Sequence, residues 1–437
     1  MNETTKLFAV VGNPVLHSKS PVLFEGAYPG AGDRAFFRLV ARSAEEALRL
    51  LSELELGGMN VTAPFKTEMA ALVARRSVEV EILDAANTVV SEADGFHAYN
   101  TDPCGVSGAI EALGVEIRAK ECLVLGAGGA GRAAAYALQR AGGCVTLVNR
   151  TIDKVREIAG RLHCMYAGID DELPGRVARA EIVVHALSPG VEVIEEEWLS
   201  PRHVVLDALY HGSYLRDRAM RRGATYIDGS HWLIHQGIPA YRLFTGEEPD
   251  ERGMEMALSL LPALPRHVSF IGFMGAGKST VARTVGKMLG MPVVDTDRLI
   301  EQRAGKGIPR LMQEEGEASF RVRELEVLRD VLLGHAPAVI SCGGGAVLLP
   351  EARRLLRSRS IVVWLYASPE QCMRRIDVAS RPLLACHARP DEAAEALFRE
   401  RKALYARTAW MLIDTGGRTS KQVSQVVYEE ISRSIRG

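Results

Sequence analysis

The chain has 437 residues, enough for about three domains with substantial cores. Hydrophobic residues make up 47% and charged residues 24% of the sequence, which excludes collagen-like, disordered and coiled-coil proteins. The net charge of −1 provides no overall attraction to nucleic acid or acidic membranes, and no apolar run approaches the roughly 18 residues that span a bilayer.

The charge is divided unevenly along the chain. The first 264 residues carry 26 Lys+Arg and 35 Asp+Glu, whereas the remainder carries 27 and 19, which predicts two modules with different ligands. Pro262 and Pro265 break the preceding helix and mark the boundary. The seven cysteines form no CxxC pair and no zinc spacing, and the first residues do not resemble a signal peptide. These features predict a cytoplasmic protein with reduced thiols.

Short β-branched or apolar runs, bounded by Gly, Pro or Asn, predict strands along the whole chain. Ala-, Leu-, Arg- and Glu-rich segments with helical spacing lie between them, such as Arg132–Ala141 and Ser279–Leu289. This alternation predicts an α/β fold with mostly parallel sheets. The predicted strands are Leu7–Val11, Met59–Val61, Cys122–Leu125, Val145–Val148, Ile182–Val184, Val204–Leu206, Val268–Ile271, Val339–Ile340 and Ile361–Leu365.

Short polar side chains follow the early strands of the acidic half. They stand at Ser18, Ser20, Thr62, Asn87 and Asp102. The two serines are equally consistent with the N-cap of a helix. Lys66 follows Thr62 by four residues, and a single lysine is ordinarily a surface residue. A lysine and an aspartate among many hydroxyl and amide groups predict a polyol site with an acid/base pair.

A glycine-rich turn follows the strand Cys122–Leu125. Its sequence matches G-x-G-x-x-G and leads into a helix, the setting in which bare backbone approaches a pyrophosphate at a helix N-terminus. On the hexapeptide alone, a tightly packed turn is the alternative. The residues predicted to bind a dinucleotide here are Gly126, Gly128, Gly129, Ala130 and Gly131.

The end of the next strand indicates which dinucleotide is bound. Arg150 stands where an NAD enzyme carries Asp or Glu for the ribose hydroxyl, and Asn149, Thr151 and Lys154 surround it. A guanidinium suits a 2′-phosphate. The sequence therefore predicts NADP(H) as the cofactor.

The basic half begins with a second phosphate-binding loop. Residues 272–279 satisfy G-x-x-x-x-G-K-S between a strand and a helix, so that backbone N–H groups cradle phosphates and Lys278 reaches the terminal ones. The Ser279 hydroxyl would bind Mg²⁺. This loop predicts a module that binds ATP or another nucleoside triphosphate through Gly275, Ala276, Gly277, Lys278, Ser279 and Thr280.

Further polar residues follow the loop. Asp295 and Asp297 lie at the mouth of a parallel sheet, where one carboxylate can hold the water shell of a metal and the other can face an acceptor hydroxyl. Singly, the remaining residues are more simply solvated charges or a tight loop. They are Arg321 with Glu324, the glycines 343–345, Arg381 and Arg401.

In chain order, these segments resemble two families. The P-loop, Asp-x-Asp, Phe-Arg with its Glu, the triple glycine, Arg-Pro-Leu-Leu and Arg-x-x-Leu-Tyr resemble shikimate kinase. Roughly residues 7 to 250 are similar to shikimate dehydrogenase. The matching motifs are Ser-x-Ser, Asn-Val-Thr-x-Pro-x-Lys, Asn-Thr, Asn-Thr-Asp-x-x-Gly, the glycine-rich turn, Asn-Arg-Thr, Asp207-x-x-Tyr210 and Asp228-Gly229 leading to Gln236.

The resemblance to the dehydrogenase implies a catalytic pair and a substrate site. Lys66 and Asp102 would form the pair, with Lys66 giving a proton to the developing alkoxide as NADPH delivers hydride to the C3 carbonyl. Gly229 would contact the cofactor. The carboxylate and hydroxyls of the substrate would be bound by Ser18, Ser20, Thr62, Asn87, Asp102, Tyr210 and Gln236.

The resemblance to the kinase implies a shikimate site and a phosphoryl-transfer site. Asp297 would position the 3-hydroxyl for attack, while Lys278 and Arg381 neutralise charge on the transferring group. Mg²⁺ would be held by Ser279 and, through water, by Asp295. Shikimate would be held by Asp297, Arg321, Gly343, Gly344, Gly345 and Arg401, with the arginines pairing its carboxylate.

The chain departs from the family patterns at four places. The stretch between Arg375 and Arg381 is short and lacks the usual glycine-containing lid. His185 stands where an Asn is common, and Trp232 stands in place of a usual Met. Residues 211–215 are atypical. These differences concern the lid and the nicotinamide pocket.

The sequence thus predicts three α/β domains. A discontinuous substrate domain, 1–103 with 234–264, would enclose a Rossmann NADP-binding domain, 104–233, and a P-loop kinase domain with a doubly wound parallel sheet would occupy 265–437. Such a chain would reduce 3-dehydroshikimate with NADPH and phosphorylate shikimate with ATP, in the biosynthesis of chorismate and aromatic amino acids. The alternatives are an NAD-dependent quinate-type dehydrogenase fused to a kinase for another small alcohol, and a regulator that binds these ligands without turnover.

Overall fold

A computed structural model describes residues 5–28, 33–188, 190–210, 213–261, 263–378 and 381–436. The chain forms two compact units. Unit 1 comprises Met1–Pro21, Ala31–Leu56 and Leu261–Gly437, and unit 2 comprises Val22–Gly30 and Gly57–Leu260. The three predicted domains were drawn from the positions of the motifs, whereas the two units reflect how the chain packs. The predicted boundaries stay a prediction.

The strands lie along the whole described chain and are mostly short. They are β1 (Lys6–Gly12), β2 (Arg34–Val40), β3 (Gly58–Val61), β4 (Arg75–Arg76), β5 (Thr88–Glu92), β6 (Gly95–Tyr99), β7 (Glu121–Leu125), β8 (Cys144–Val148), β9 (Met165–Ala167), β10 (Ile182–His185), β11 (Val204–Asp207), β12 (Thr225–Ile227), β13 (His267–Ile271), β14 (Val293–Asp295), β15 (Val339–Ser341), β16 (Ser360–Tyr366) and β17 (Met411–Asp414).

The helices alternate with the strands. They are α1 (Ser20–Ala27), α2 (Ala44–Glu53), α3 (Lys66–Leu72), α4 (Val78–Leu83), α5 (Asp102–Glu111), α6 (Gly129–Arg140), α7 (Ile152–Leu162), α8 (Leu173–Arg179), α9 (Tyr214–Arg221), α10 (Gly229–Thr245), α11 (Glu251–Ser259), α12 (Lys278–Leu289), α13 (Thr296–Ala304), α14 (Ile308–Leu332), α15 (Pro350–Arg359), α16 (Pro369–Met373), α17 (Pro382–Ala385), α18 (Pro390–Thr408) and α19 (Ser420–Arg436).

The predicted α/β fold class is confirmed. Each of the nine strands predicted from the sequence overlaps an observed strand, and the two predicted helices correspond to α6 and α12. Most strand pairs are parallel, with antiparallel pairing of β5 to β3 and to β6. Of the described helices, none combines the length and the apolar composition that crossing a membrane requires.

Unit 2 contains a six-stranded parallel sheet in the order β12-β11-β10-β7-β8-β9. Counted from β7, this is the order 3-2-1-4-5-6 of a doubly wound dinucleotide fold, which binds ligands where the strand order reverses. The reversal lies at the carboxyl end of β7, directly before Gly126. Apolar clusters cover both faces of the sheet, one around Val124 and Leu206 and the other around Leu125 and Val205.

The rest of unit 2 carries strands in the order β3-β5-β6-β4. Helix α5 packs against both α6 and α10, so that it connects this smaller sheet to the doubly wound sheet. The contact between α5 and α10 is close, because a Cβ added at Gly105 would lie 2.3 Å from the Trp232 ring. Asp102, at the start of α5, is therefore held by packing on two sides.

Unit 1 contains a seven-stranded sheet, parallel where its strands pair, in the order β14-β15-β13-β16-β17-β2-β1. Strand β13 lies between β15 and β16 and leads into the P-loop. The first two strands of the chain extend the sheet beyond β17, with Met411 opposite Arg38 and Ile413 opposite Val40. The sheet of unit 1 is therefore built from five strands of the C-terminal stretch and two strands of the N-terminal stretch.

Aromatic side chains fill the core between these stretches. Trp364 on β16 is fully buried and lies with its ring centroid 5.8 Å from that of Phe37 on β2 and 5.7 Å from that of Tyr405 on α18. Such buried rings contribute much of the packing energy of a core. The core of unit 1 thus includes residues from both ends of the chain.

Candidate active sites

Two helix starts in unit 2 bring the predicted catalytic pair together. Lys66 is the first residue of α3 and Asp102 the first of α5. The Lys66 ammonium donates to Asp102 Oδ2 at 2.5 Å, with the carboxylate largely buried and the lysine partly exposed. The two side chains are 36 residues apart in sequence, and the structure confirms that they meet. An ammonium that is held against a carboxylate and stays partly exposed is suited to proton transfer.

A buried amide network holds the other oxygen of Asp102. Asn87 Nδ2 donates to Asp102 Oδ1 at 2.8 Å and lies 3.3 Å from Gln236 Oε1. Thr101 joins the same network, since its N–H donates to Asn87 Oδ1 at 2.8 Å and its hydroxyl donates to Gln236 Oε1 at 3.2 Å. These bonds fix the carboxylate so that its second oxygen faces Lys66.

Two further predicted substrate residues lie in loops of unit 2. Thr62 follows β3 and opens the turn into α3, where its carbonyl accepts from Phe65 N at 3.1 Å. Tyr210 follows β11, and shielding from water together with the charge of Asp102 raises its pKa to about 12. The phenol is therefore neutral at physiological pH and can donate a hydrogen bond.

Ser18 and Ser20 lie in unit 1. The Ser18 hydroxyl lies 3.3 Å from that of Ser20, and Ser20 is buried at the start of α1. The Arg38 guanidinium donates to the Ser18 carbonyl at 2.6 and 3.0 Å, and it fixes the backbone between the two strands β1 and β2. Their contact with the substrate stays a prediction.

The glycine-rich turn in unit 2 forms an open cradle at the start of α6. A Cβ added at Gly131 would lie 1.8 Å from Gly126 O, and Gly126 itself has φ +109°, so both positions require glycine. Nothing lies within 4 Å of a Cβ added at Gly128 or Gly129. No side chain caps the first turn of α6, so that its N–H groups are available to a pyrophosphate. These residues fit a dinucleotide.

The predicted 2′-phosphate residues lie at the end of β8. Asn149 is half-buried and donates its N–H to Ala167 O, while Arg150, Thr151 and Lys154 are exposed. Among the described residues, neither Arg150 nor Lys154 has a hydrogen-bond or ion-pair partner. Their charges are therefore available to a ligand phosphate.

Gly229, the other predicted cofactor residue, begins α10. A Cβ there would lie 2.7 Å from Ala208 O, and its N–H donates to Leu209 O at 3.1 Å. The glycine thus brings α10 close to the loop that carries Tyr210.

Two of the sequence departures have clear structural roles. Trp232 Nε1 donates to the Asp102 carbonyl at 3.1 Å, so the indole supports the backbone of the catalytic aspartate. His185 is buried, and its Nδ1 lies 3.0 Å from Asp207 Oδ1. Burial alone would raise the pKa of Asp207, but hydrogen bonds from His185, Ser213 and the Leu209 N–H hold it below the usual value. Residues 211 and 212 of the atypical stretch lie outside the described residues.

The P-loop in unit 1 forms a turn that requires glycine at two positions. Gly275 and Gly277 have φ of +82° and +90°, and a Cβ at Gly275 would lie 2.6 Å from Cys372 O. Ala276 is buried, whereas Ser279 and Thr280 lie exposed in the first turn of α12. Lys278 donates to the carbonyls of Gly272 and Phe273 at 2.8 and 2.9 Å. Burial lowers the pKa of Lys278, against the opposing attraction of Asp297.

A cavity of about 470 Å³ joins the predicted metal residues. Ser279 and Asp295 both line it, and the Ser279 hydroxyl lies 3.1 Å from that of Ser341. A hydroxyl and a carboxylate are hard oxygen donors, which fit Mg²⁺ held partly through water. Asp295 also accepts from Arg298 N at 3.4 Å as the N-cap of α13.

A second cavity, of about 400 Å³, joins the residues predicted to bind shikimate. A Cβ at Gly343 would lie 2.6 Å from Asp297 Oδ1, and one at Gly345 would lie 2.3 Å from Arg321 Nη1, so the bare glycines let both groups reach the cavity. The six residues predicted to hold shikimate all line it: Asp297, Arg321, Gly343, Gly344, Gly345 and Arg401. Arg381, predicted to neutralise the transferring phosphoryl group, lines the same cavity. Residues 379 and 380 of the short lid segment lie outside the described residues.

The charges of this cavity are balanced by burial and by ion pairs. Burial raises the pKa of Asp297, although Lys278 and other cations oppose it. Burial also raises the pKa of Glu324, whose carboxylate accepts from Arg321 Nη1 at 2.8 Å. Arg321 donates its other terminal nitrogen to Glu317. The cavity therefore presents three arginines and an aspartate whose pKa is raised.

Three residues of these sites were not predicted as site residues. Thr101 links Asn87 to Gln236, Glu324 holds Arg321, and Tyr405 donates its hydroxyl to Gly344 O at 2.6 Å. Each lies inside a motif that the sequence contains, next to or near a predicted residue. Thr and Tyr are common in strands and Glu is common on surfaces, so these residue types alone gave no signal for a role in a site.

Comparisons with known proteins agree with this geometry. Family models match residues 10–89 as "Shikimate dehydrogenase substrate binding domain", 109–204 as "Shikimate / quinate 5-dehydrogenase" and 274–432 as "Shikimate kinase". A relative from Halobacterium salinarum, "Shikimate dehydrogenase (NADP(+))", is 37% identical over 263 residues, which are 58% of this chain and 98% of the relative.

Solved structures give the same result. The shikimate dehydrogenase of Aquifex aeolicus is 30% identical, with a TM-score of 0.55, and the match covers 59% of this chain and 99% of that one. The enzyme of Thermus thermophilus, in complex with NADP(H) and shikimate, is 30% identical with a TM-score of 0.53, over 58% and 98% of the two chains. The predicted families and enzyme class are confirmed. The chain therefore belongs to the shikimate dehydrogenase family, carries a shikimate kinase domain after it, and is a bifunctional enzyme of the shikimate pathway.

Proposed function

We propose that the chain reduces 3-dehydroshikimate to shikimate with NADPH and phosphorylates shikimate with ATP to shikimate 3-phosphate. The observation that carries the first reaction is the contact of 2.5 Å between Lys66 and Asp102, and the open dinucleotide cradle in the same unit supports it. The second reaction is supported by the P-loop and by the cavity that joins Asp297 to three arginines. The product of the first site is the substrate of the second.

In the dehydrogenase, Lys66 acts as the proton donor. NADPH bound at the start of α6 would supply the hydride to the C3 carbonyl. The negative charge that develops on the carbonyl oxygen is stabilised by the Lys66 ammonium, which transfers a proton to it. Asp102 orients the ammonium, while Asn87 and Gln236 keep the carboxylate in place. Tyr210, Thr62, Ser18 and Ser20 donate to the carboxylate and hydroxyls of the substrate.

In the kinase, Asp297 orients the attacking hydroxyl of shikimate. Arg321 and Arg401 pair with its carboxylate, and the backbone of residues 343–345 holds its other hydroxyls. Lys278 and Arg381 compensate the charge of the phosphoryl group in transit. Mg²⁺ at Ser279 and Asp295 would neutralise the phosphates of ATP. Since both reactions use nucleotides of the cytoplasm, we propose a cytoplasmic location.

One assay of the purified chain tests both activities. We would mix 3-dehydroshikimate, NADPH, ATP and Mg²⁺ and follow NADPH absorbance together with shikimate 3-phosphate. Both signals are expected to change. Lys66→Ala should stop NADPH consumption while phosphorylation of added shikimate continues, and Lys278→Ala should do the reverse.

The alternatives predict other results. A quinate-type dehydrogenase would turn over faster with NAD and quinate than with NADP and shikimate. A regulator would bind its ligands, as seen by calorimetry, without consuming either nucleotide. Either result would overturn the proposed function for the half of the chain concerned.

A further inference from the structure

The loop that carries Ser18 and Ser20 is held from the far end of the chain. Glu430, on α19, is buried and its carboxylate accepts from Val15 N at 3.0 Å and from Leu16 N at 2.8 Å. In the sequence, Glu430 lies 415 positions after Val15 and 414 positions after Leu16. All of these residues belong to unit 1. Val15 and Leu16 are themselves buried, so their N–H groups need an acceptor inside the protein.

The hydrogen bonds continue from these amides to the serines. Ser18 N donates to Val15 O at 2.9 Å, which closes a tight turn, and Ser20 N donates to the Ser18 hydroxyl at 3.4 Å. Arg38 holds the Ser18 carbonyl and also donates to Trp410 O, directly before β17, at 3.3 Å. The turn is therefore fixed on one side by α19 and on the other by the strand pair β2–β17.

The kinase fold fixes the position of α19. This helix packs against α12, which begins at the P-loop lysine, and its apolar residues Val423, Val427 and Ile431 are buried. Glu430 thus extends from a rigid support. A carboxylate that accepts two buried N–H groups from such a support determines where the following residues lie.

We propose that Glu430, on the last helix of the kinase domain, is a positioning residue for the dehydrogenase, because it sets the turn that presents Ser18 and Ser20 to 3-dehydroshikimate. This inference rests on the proposed function of the two serines. It gives the kinase domain a role in the affinity of the other active site, without any contact between Glu430 and the substrate.

The test compares steady-state kinetics of both reactions in full-length variants. Glu430→Gln keeps the volume but places an amide N–H₂ near the Val15 or Leu16 N–H, and Glu430→Ala removes both acceptors. We expect the KM for 3-dehydroshikimate to rise about threefold in the first and about tenfold in the second, with kcat changed less than about twofold. Kinase kcat and KM should stay within about twofold of the wild-type values, which reports an intact unit 1.

Two further variants sharpen the test. Glu429→Gln is the matched control: Glu429 is its partly exposed neighbour, hydrogen-bonded to Gln425, and its replacement should leave the KM unchanged. Ser20→Ala combined with Glu430→Ala should raise the KM less than the product of the two single effects, because both act through one turn.

The outcomes separate the inference from the function on which it rests. A wild-type chain that does not reduce 3-dehydroshikimate contradicts the proposed function. An active chain in which Glu430→Gln leaves the KM unchanged overturns the role of Glu430 alone, even if Glu430→Ala fails to fold. Independent, multiplicative effects of Ser20→Ala and Glu430→Ala would also overturn it.

Discussion

Arg150 at the end of β8 is exposed, and no described side chain pairs with its guanidinium. A charge placed in this way adds little to folding, so its contribution is expected in ligand binding. We predict that Arg150→Ala lowers the preference for NADPH over NADH by about 10- to 100-fold, since a hydrogen bond to a charged group contributes roughly 1.5–3 kcal/mol. The ratio of kcat/KM for the two nucleotides measures this preference.

The control for this prediction lies on the neighbouring helix. Arg140 is exposed at the far end of α6 from the glycine cradle, so Arg140→Ala should leave the ratio unchanged. Equal ratios in the wild type and Arg150→Ala would show that the 2′-phosphate is bound elsewhere.

As the pH is lowered, protonation of Asp297 should reduce kinase activity at a higher pH than protonation of an exposed aspartate would. Burial raises the pKa of its carboxyl above the ordinary value of 3.8, so that the group gains its proton at a higher pH than an exposed aspartate does. The protonated carboxyl is neutral, and one of its oxygens becomes a donor. It therefore accepts the hydrogen bond of the shikimate hydroxyl less strongly than the carboxylate does. We therefore expect kcat/KM for shikimate to fall, as the pH is lowered, at a midpoint above 3.8. A midpoint at or below this value would contradict the assignment.

At the scale of the element, the glycines of the turn 126–131 have two different roles. Gly131 allows close backbone packing, whereas Gly129 leaves space for the cofactor. Gly131→Ala would press a methyl group against Gly126 O, within the backbone, and should unfold the doubly wound sheet or lower its melting temperature markedly. Gly129→Ala meets no atom within 4 Å and lies in a helix, so it should preserve the melting temperature. The added methyl group would nevertheless occupy the cradle. We predict a KM for NADPH raised about tenfold or more in Gly129→Ala, measured beside thermal unfolding.

The elements that the sequence predicted are those with local causes. The two phosphate-binding turns were predicted because glycines, a strand and a helix start lie within about 20 consecutive residues. Strands β2 and β17 were not predicted. Arg34–Val40 contains two arginines that interrupt the apolar pattern, and Met411–Asp414 is only four residues long. Their pairing, and the contact of Glu430 with Leu16, depend on the tertiary fold, which no local pattern records.

At the scale of the whole molecule, the segment that matches the dehydrogenase substrate-binding family, residues 10–89, contributes side chains to the core of unit 1, which also contains the P-loop. Phe37 on β2 packs against Trp364 on β16, and both are fully buried. We predict that Phe37→Ala destabilises unit 1 by about 3–5 kcal/mol. Kinase activity should then be lost on heating at a lower temperature than in the wild type.

The conservative variant Phe37→Leu keeps most of the volume and should have a smaller effect, below about 1.5 kcal/mol. An unchanged inactivation temperature of the kinase in Phe37→Ala would mean that β2 is not part of the folding unit that contains the P-loop.

The pairing of β17 with both β16 and β2 has a consequence for any attempt to cut the chain in two. A fragment starting at residue 265 would retain β17 but lose β2. The backbone hydrogen-bonding groups along one edge of a fully buried, mostly apolar strand would then be unpaired. Such an edge is a template for association with other chains. A single cleavage near residue 265 would therefore place β17 and its partner strand β2 on different fragments, although the backbone hydrogen bonds between them join the two ends of the polypeptide.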